Sequence, residues 1–140
     1  MFLLDTNVVS ELRKVGDGRA DAKVNAWLSA ADPSNFYVSP VTLWEIEIGI
    51  LRAERRDAVQ GAKLRKWMSD RLIPNFVGRV LPIDAAVAFR CARLHVPRTR
   101  PDNDAWIAAT ALVHNMTVVT RNVRDFESTG VALLNPWDDR

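Results

Sequence analysis

The chain predicts an α/β fold: a mostly parallel central sheet of about five strands flanked by helices, with a helical hairpin near residues 40–72. Three observations carry this reading. Short apolar runs rich in β-branched residues have the composition of strands buried on both faces. These runs alternate with longer stretches of helical spacing, the pattern of a parallel sheet with helical crossovers. Residues 40–72 place two long helical stretches back to back, so that pair is expected to form a hairpin beside the sheet.

The expected strands are Phe2–Leu4, Phe36–Val38, Val80–Ile83, Thr117–Thr120 and Ala132–Leu134. A helix is expected to start near Asn7, and a second to cover Ala22–Ala31. Ser39-Pro40 opens a third, with Ser as N-cap and Pro in the first turn, running to about Arg56. Ala58–Leu72 follows, then Asp84–His95 with Asp84 as cap, then Asn103–Asn115. There is no internal repeat and no long linker, so residues 1–140 are read as one domain.

Composition narrows the class. Hydrophobic content of 48% and charged content of 26% are those of a globular domain. The single cysteine, Cys91, forbids an internal disulfide framework and a cysteine-based zinc site. No signal peptide or membrane span is evident, and a cytoplasmic location is expected. Net charge is +2, with cations crowded between Arg52 and Arg71 and again at Arg98-Thr99-Arg100. Most of these arginines read as a solvated helix face, since Glu54 and Asp57 lie among them. Arg98 and Arg100 are the better candidates for contact with a polyanionic substrate.

Four acids fall where strands or buried helices should be apolar: Asp5, Glu45, Asp104 and Asp125. Asp5 ends the run Met1-Phe2-Leu3-Leu4, so a strand delivers a carboxylate to its C-terminal tip, the ligand-binding edge of an open α/β sheet. Asp5 could instead cap a helix, but Thr6 and Asn7 are equally good caps. Glu45 lies in a helix with apolar residues on nearly every side, where an unpaired carboxylate is costly. Glu47 poses the same question. Gly49, one turn after Glu45, suggests a close approach on that face and so favours Glu45.

Asp104 shares a face with Ile107, Ala108 and Ala111 at a helix N-terminus, where negative charge is stabilised. Asp102 competes with it as a cap or outer group. Asp125 follows the fourth strand and is as readily a cap for residues 126–129; Thr120 and Asn122 lie nearer the strand tip. Two carboxylates about 4 Å apart repel by roughly 4 kcal/mol at an effective dielectric of 20. Convergence of several therefore calls for a hard divalent cation, magnesium or manganese, which could activate water toward a phosphodiester. The ends of predicted helices hold His95 and His114, so neither is well placed as a base.

Taken together, Asp5-Thr6-Asn7 after a strand, Glu45 with Gly49, Asp104 leading Trp106-Ile107-Ala108-Ala109, and Thr120 to Phe126 resemble the PIN-domain ribonucleases, nearest the VapC toxins. The closing Leu134-Asn135-Pro136-Trp137 is similar to the FitB branch of that family. The resemblance spans the chain in order. It implies a three-layer PIN fold and a magnesium-dependent toxin that cuts structured RNA. It implies Asp5 and Asp104 as principal metal ligands, Glu45 and Asp125 as the rest of an acidic quartet, and Thr6, Thr120 and Asn122 as supporting groups. In parts of the family the last acid falls at the position of Asn122. The resemblance also implies a homodimer, and an antitoxin that wraps the catalytic groove and binds operator DNA.

A second class of function is a binding module acting within an antitoxin–DNA complex, with weak or no nuclease activity. A phosphorylation receiver is disfavoured, since the first strand offers only Asp5 and no lysine follows Lys66. A dinucleotide-binding domain is disfavoured because no Gly-rich turn follows that strand. The tryptophans Trp27, Trp44, Trp67 and Trp106 read as core or interface packing. Trp67 with Leu64, Met68, Leu72 and Ile73 is expected to form an apolar groove that a partner helix fills.

Overall fold

The computed structural model describes residues 1–138. Its sheet is all parallel and four-stranded, in the order β2-β1-β3-β4. The strands are β1 (Phe2–Leu4), β2 (Phe36–Tyr37), β3 (Thr117–Val119) and β4 (Ala132–Leu134). Leu3 lies opposite Val118, and Leu4 opposite Val119. Successive strand residues point to opposite faces, so these pairs divide the core. Leu3 and Val118 pack with Val87, Cys91, Ile107 and Phe126 on one face. On the other, Leu4 and Val119 pack with Val8, Val24, Ile46 and Leu72.

The expected strand at Val80–Ile83 is not formed. Val80 makes only an isolated parallel bridge with Val38, through Val38 N–H to Arg79 O and Leu81 N–H to Val38 O. Pro82 follows at once. It has no N–H to extend the ladder, which limits this segment to a bridge at the sheet edge.

The helices are α1 (Thr6–Gly16), α2 (Ala22–Ala30), α3 (Pro40–Arg56), α4 (Ala58–Trp67), α5 (Ile73–Asn75), α6 (Ala85–Leu94) and α7 (Asp102–His114). Ser39 caps α3 through Val41 N–H, and Asp84 caps α6 through Val87 N–H, as expected. The expected helix over 58–72 is interrupted. After α4 the chain widens into a π-turn at Met68–Leu72, where Ile73 N–H reaches back to Met68 O. Pro74 follows and cannot donate, and the widened turn keeps Met68 and Leu72 in the core.

The helical hairpin of α3 and α4 forms as expected, but Gly49 is not its point of close approach. Gly49 is exposed, and a Cβ added there would meet nothing within 4 Å. Gly61 is the contact glycine: its Cβ would lie 2.5 Å from Glu54 Cα. Across the same contact, Arg65 bonds both Glu47 and Glu54. Nor is α3 buried all round, since Trp44 is 55% and Leu51 50% exposed. Among the described residues no helix is long and apolar enough to cross a membrane.

The arrangement positions the site. β1 and β3 are neighbours at the centre of the sheet, with β2 outside one and β4 outside the other. The crevice beyond the carboxyl ends of β1 and β3 is the switch point where open parallel sheets bind ligands.

Candidate functional site

Asp5 leaves the tip of β1, and its N–H bonds Val119 O at 2.9 Å, so the β1–β3 ladder still holds the backbone there. Asp5 does cap α1, accepting Thr6 N–H at 2.8 Å through Oδ1. Capping occupies only that oxygen. Oδ2 accepts the Thr120 hydroxyl at 2.8 Å and the Asn7 amide at 3.4 Å. Only 6% of Asp5 is exposed. Burial raises its carboxyl above the ordinary range; the bonds from Thr120, Thr6 and Asn7 oppose the rise, while the charge of Glu45 adds to it.

Glu45 is turned to the same place. Its Oε1 accepts the Thr6 hydroxyl at 2.7 Å. Glu47, the weaker choice in the sequence, is bound instead to Arg65 on α4 and serves the hairpin. One helix step of two residues separates a carboxylate at the site from one on the opposite contact.

Asp104 lies in the first turn of α7, half-buried. Its carboxyl is pushed up to about 6, first by burial and then by the charges of Asp5, Asp125 and Glu45. The other three predicted acids are therefore within electrostatic reach of Asp104, and Glu45 also within reach of Asp5. Among the described residues no lysine or arginine offsets the repulsion at Asp104 or Asp5. Asp125 is exposed, in a 3-10 turn at Val123–Asp125. Asn122 is also exposed, and its N–H bonds the Thr120 hydroxyl at 3.0 Å. Asp102 stands apart, with its carboxylate 3.5 Å from His95 Nε2.

A preformed cage is not built: among the described residues no three His, Cys, Asp or Glu side chains are grouped closely enough to hold a metal ion. The donor set nevertheless suits a hard divalent cation. All four candidates are oxygen donors, the other three repel Asp104, and magnesium needs only one or two carboxylates beside its waters.

The two arginines expected at substrate differ. Arg100 is committed to the fold, donating to Leu94 O at 2.7 Å and to Ser128 Oγ at 2.9 Å. Arg98 is exposed and makes no polar contact among the described residues. Sequence reasoning treated Asn7 only as a cap candidate. Its amide oxygen accepts Arg121 N–H at 3.2 Å, while its amide nitrogen bonds Asp5 and Thr120. The signal for it was its place two residues after Asp5. Glu11, 6% exposed, was also missed: it accepts Asp21 N–H at 2.8 Å and pairs with Lys14, and so ties α1 to the start of α2.

An open groove of about 850 Å³ runs beside the C-terminal half of α1. Leu64, Trp67 and Leu72 line it as expected, together with Leu12, Val15 and Phe76. Met68 is in the core, and Ile73 is exposed elsewhere. The cations Arg13, Arg19, Lys63, Lys66 and Arg71 also line it, against the acids Asp17 and Asp70.

The PIN domain model matches residues 2–131, and the chain belongs to the PIN-domain family. Within it the chain is 33% identical to Toxin FitB of Neisseria gonorrhoeae, with 99% of this chain and all of that protein covered. It is 35% identical to VapC ribonuclease Y4jK of Sinorhizobium fredii, with 99% of each covered. Among solved structures, FitAB bound to an IR36 DNA fragment superposes with a TM-score of 0.88 at 34% identity, covering 100% of this chain and 98% of that one. The VapBC2 complex of Rickettsia felis shares the fold, with a TM-score of 0.70 at 20% identity.

Proposed function

We propose that this chain is the toxin of a toxin–antitoxin pair and acts as a magnesium-dependent endoribonuclease. The observation that carries the reading is the convergence of Asp5, Glu45, Asp104 and Asp125 at the carboxyl edge, with Asp104 pushed up to about 6 by burial and the other three. The naming of relatives as VapC ribonucleases supports it. Asp5 and Asp104 would hold the cation, with manganese as a substitute. When bound, it would supply charge neutralisation, polarisation of the phosphodiester and a lower pKa for water.

The chain's own residues do the positioning. Thr120 and Asn7 fix one oxygen of Asp5, and the Thr6 N–H fixes the other. The Thr6 hydroxyl keeps Glu45 facing Asp5 and Asp104, where it can accept a proton from an attacking water. Asp125, on a turn at the rim, completes the negative field. No protein nucleophile is needed, because in-line attack by water breaks the P–O bond directly.

The basic rim and apolar floor of the groove fit an acidic, amphipathic segment of the antitoxin. Operator DNA would be reached only through that antitoxin. Trp44 and Leu51 on α3 and Phe89 on α6, all at least half exposed, offer surface for a second copy and so for a homodimer. A second reading, a FitB-like module that acts mainly within an antitoxin–DNA complex, is favoured by the likeness to a FitAB complex solved on DNA.

Expression of the protein alone separates the two. The enzyme reading expects growth arrest and RNA cleavage that vanish in Asp5→Asn and Asp104→Asn. Toxicity that persists undiminished in both variants would overturn it.

A further inference from the structure

We propose that Arg121 is the residue that grips an RNA phosphate beside the acids, and that Asn135-Pro136-Trp137 is the strut that sets it. The inference rests on the ribonuclease reading above. Four carboxylates repel a polyanion, and among the described residues no cation acts on Asp5 or Asp104 to relieve this. The site therefore needs a positive group close enough to hold RNA yet not spent on the acids.

Arg121 meets both conditions. It directly follows Thr120, whose hydroxyl bonds Asp5, so its backbone is held at the mouth of the site. That backbone is fixed from two sides: its N–H donates to Asn7 Oδ1 at 3.2 Å, and its carbonyl accepts the Asn135 amide at 3.4 Å. The side chain is exposed, and its guanidinium lies 5.3 Å from the centre of the Trp137 ring. Among the described residues it has no carboxylate partner and no side-chain hydrogen bond.

The contrast with other arginines of the chain is the argument. Arg65 is bound to Glu47 and Glu54, Arg79 to backbone carbonyls and Arg100 to Leu94 and Ser128. Arg79 also lies over a ring, 5.3 Å from the centre of Phe76, but its N–H groups are spent on the carbonyls of Pro33, Phe36 and Asn75. Arg121 rests on an aromatic ring and, among the described residues, keeps its N–H edge free. Such an edge matches phosphate oxygens two at a time. Contact with the ring also restricts the side chain before RNA arrives, so less freedom is lost on binding. Trp137 is itself set by Asn135, whose Oδ1 accepts Trp137 N–H at 2.9 Å, and it packs against the core cluster containing Leu4 and Val119. One asparagine thus holds both the arginine's backbone and the ring beneath its side chain.

The test measures binding of a fluorescein-labelled RNA stem–loop by anisotropy across a salt series. It uses the Asp104→Asn background so that no cleavage intervenes. Arg121→Gln should weaken binding about fivefold and flatten the log–log salt slope by about 0.7, the loss of one phosphate contact. Arg121→Lys should restore the slope but not all the affinity. Trp137→Leu should weaken binding in the same direction, with no further loss when added to Arg121→Gln. In the catalytically intact protein Arg121→Gln should raise KM and leave kcat within about twofold. Unchanged affinity and slope in Arg121→Gln, with the loss appearing instead in Arg98→Gln, would overturn the assignment. Failure of the parent to bind RNA at all would remove the ribonuclease reading with it.

Discussion

The Thr120 hydroxyl has one proton and two lone pairs, and all three are engaged. It donates to Asp5 Oδ2 and accepts from Asn122 N–H and the Asn7 amide, at full burial. Thr120→Val keeps the shape but leaves buried groups unpaired. It should cost about 1–3 kcal/mol in urea denaturation, whereas Thr120→Ser should be nearly neutral. Asp104 makes the opposite kind of contribution. Its carboxyl is raised to about 6 from a reference of 3.8, so the folded, metal-free protein holds that proton more tightly than the unfolded chain. Stability from this group is therefore full below pH 4 and is lost as pH rises through about 6. Asp104→Asn should leave the melting temperature unchanged at pH 4. At pH 8 without metal it should raise it by about 3 °C, corresponding to about 1 kcal/mol after allowance for partial exposure. A melting temperature at pH 8 that does not rise would count against the mutual repulsion.

At the scale of elements, the two hairpin glycines give opposite expectations. Gly61→Ala drives a Cβ to 2.5 Å from the Glu54 backbone and should destabilise by about 1–3 kcal/mol. Gly49→Ala meets open space within a helix and should stabilise by up to about 1 kcal/mol. Chemical denaturation of both variants checks the pair. Sequence spacing found the hairpin but chose the wrong glycine, because a helical pattern does not say which turns face each other. The same limit explains the misread Val80–Ile83: its apolar residues suit a strand, and Pro82 removes the N–H that pairing would need. The π-turn at Met68–Leu72 was invisible because its side chains keep a helical apolar pattern while the backbone bonds shift by one residue.

Across the whole molecule, Asp5 and Glu45 stand out in the sequence because each ends or interrupts an apolar run, whereas Asp125, exposed on a polar turn, stands out only through the family resemblance. What could not be read was the company they keep. The Thr6–Glu45 bond spans 39 residues, and Thr120–Asp5 spans 115. Glu45 and Glu47 are told apart by partners distant in sequence, Thr6 for the first and Arg65 for the second. The groove was foreseen from Trp67 and Leu64, but its wall from α1 was not, since Leu12 and Val15 are distant in sequence. Its charge supplies a further expectation. Lys63→Glu with Lys66→Glu should weaken binding of the antitoxin by about tenfold or more, read by calorimetry, without changing RNA cleavage. Equal antitoxin affinity in the double variant would move the partner to another face.

Helix α1 begins at the acids and ends in the groove, so it acts as a ruler between them. Its 11 residues span about 16 Å at a rise of about 1.5 Å each. An extended chain covers about 3.3 Å per residue, so about five residues would bridge that distance. A ligand confined to the groove would leave RNA free to reach Asp5 and Asp104. Blocking cleavage requires a tail of about that length beyond the anchored segment, so truncating the tail should turn an inhibitor into a tightly held but permissive partner.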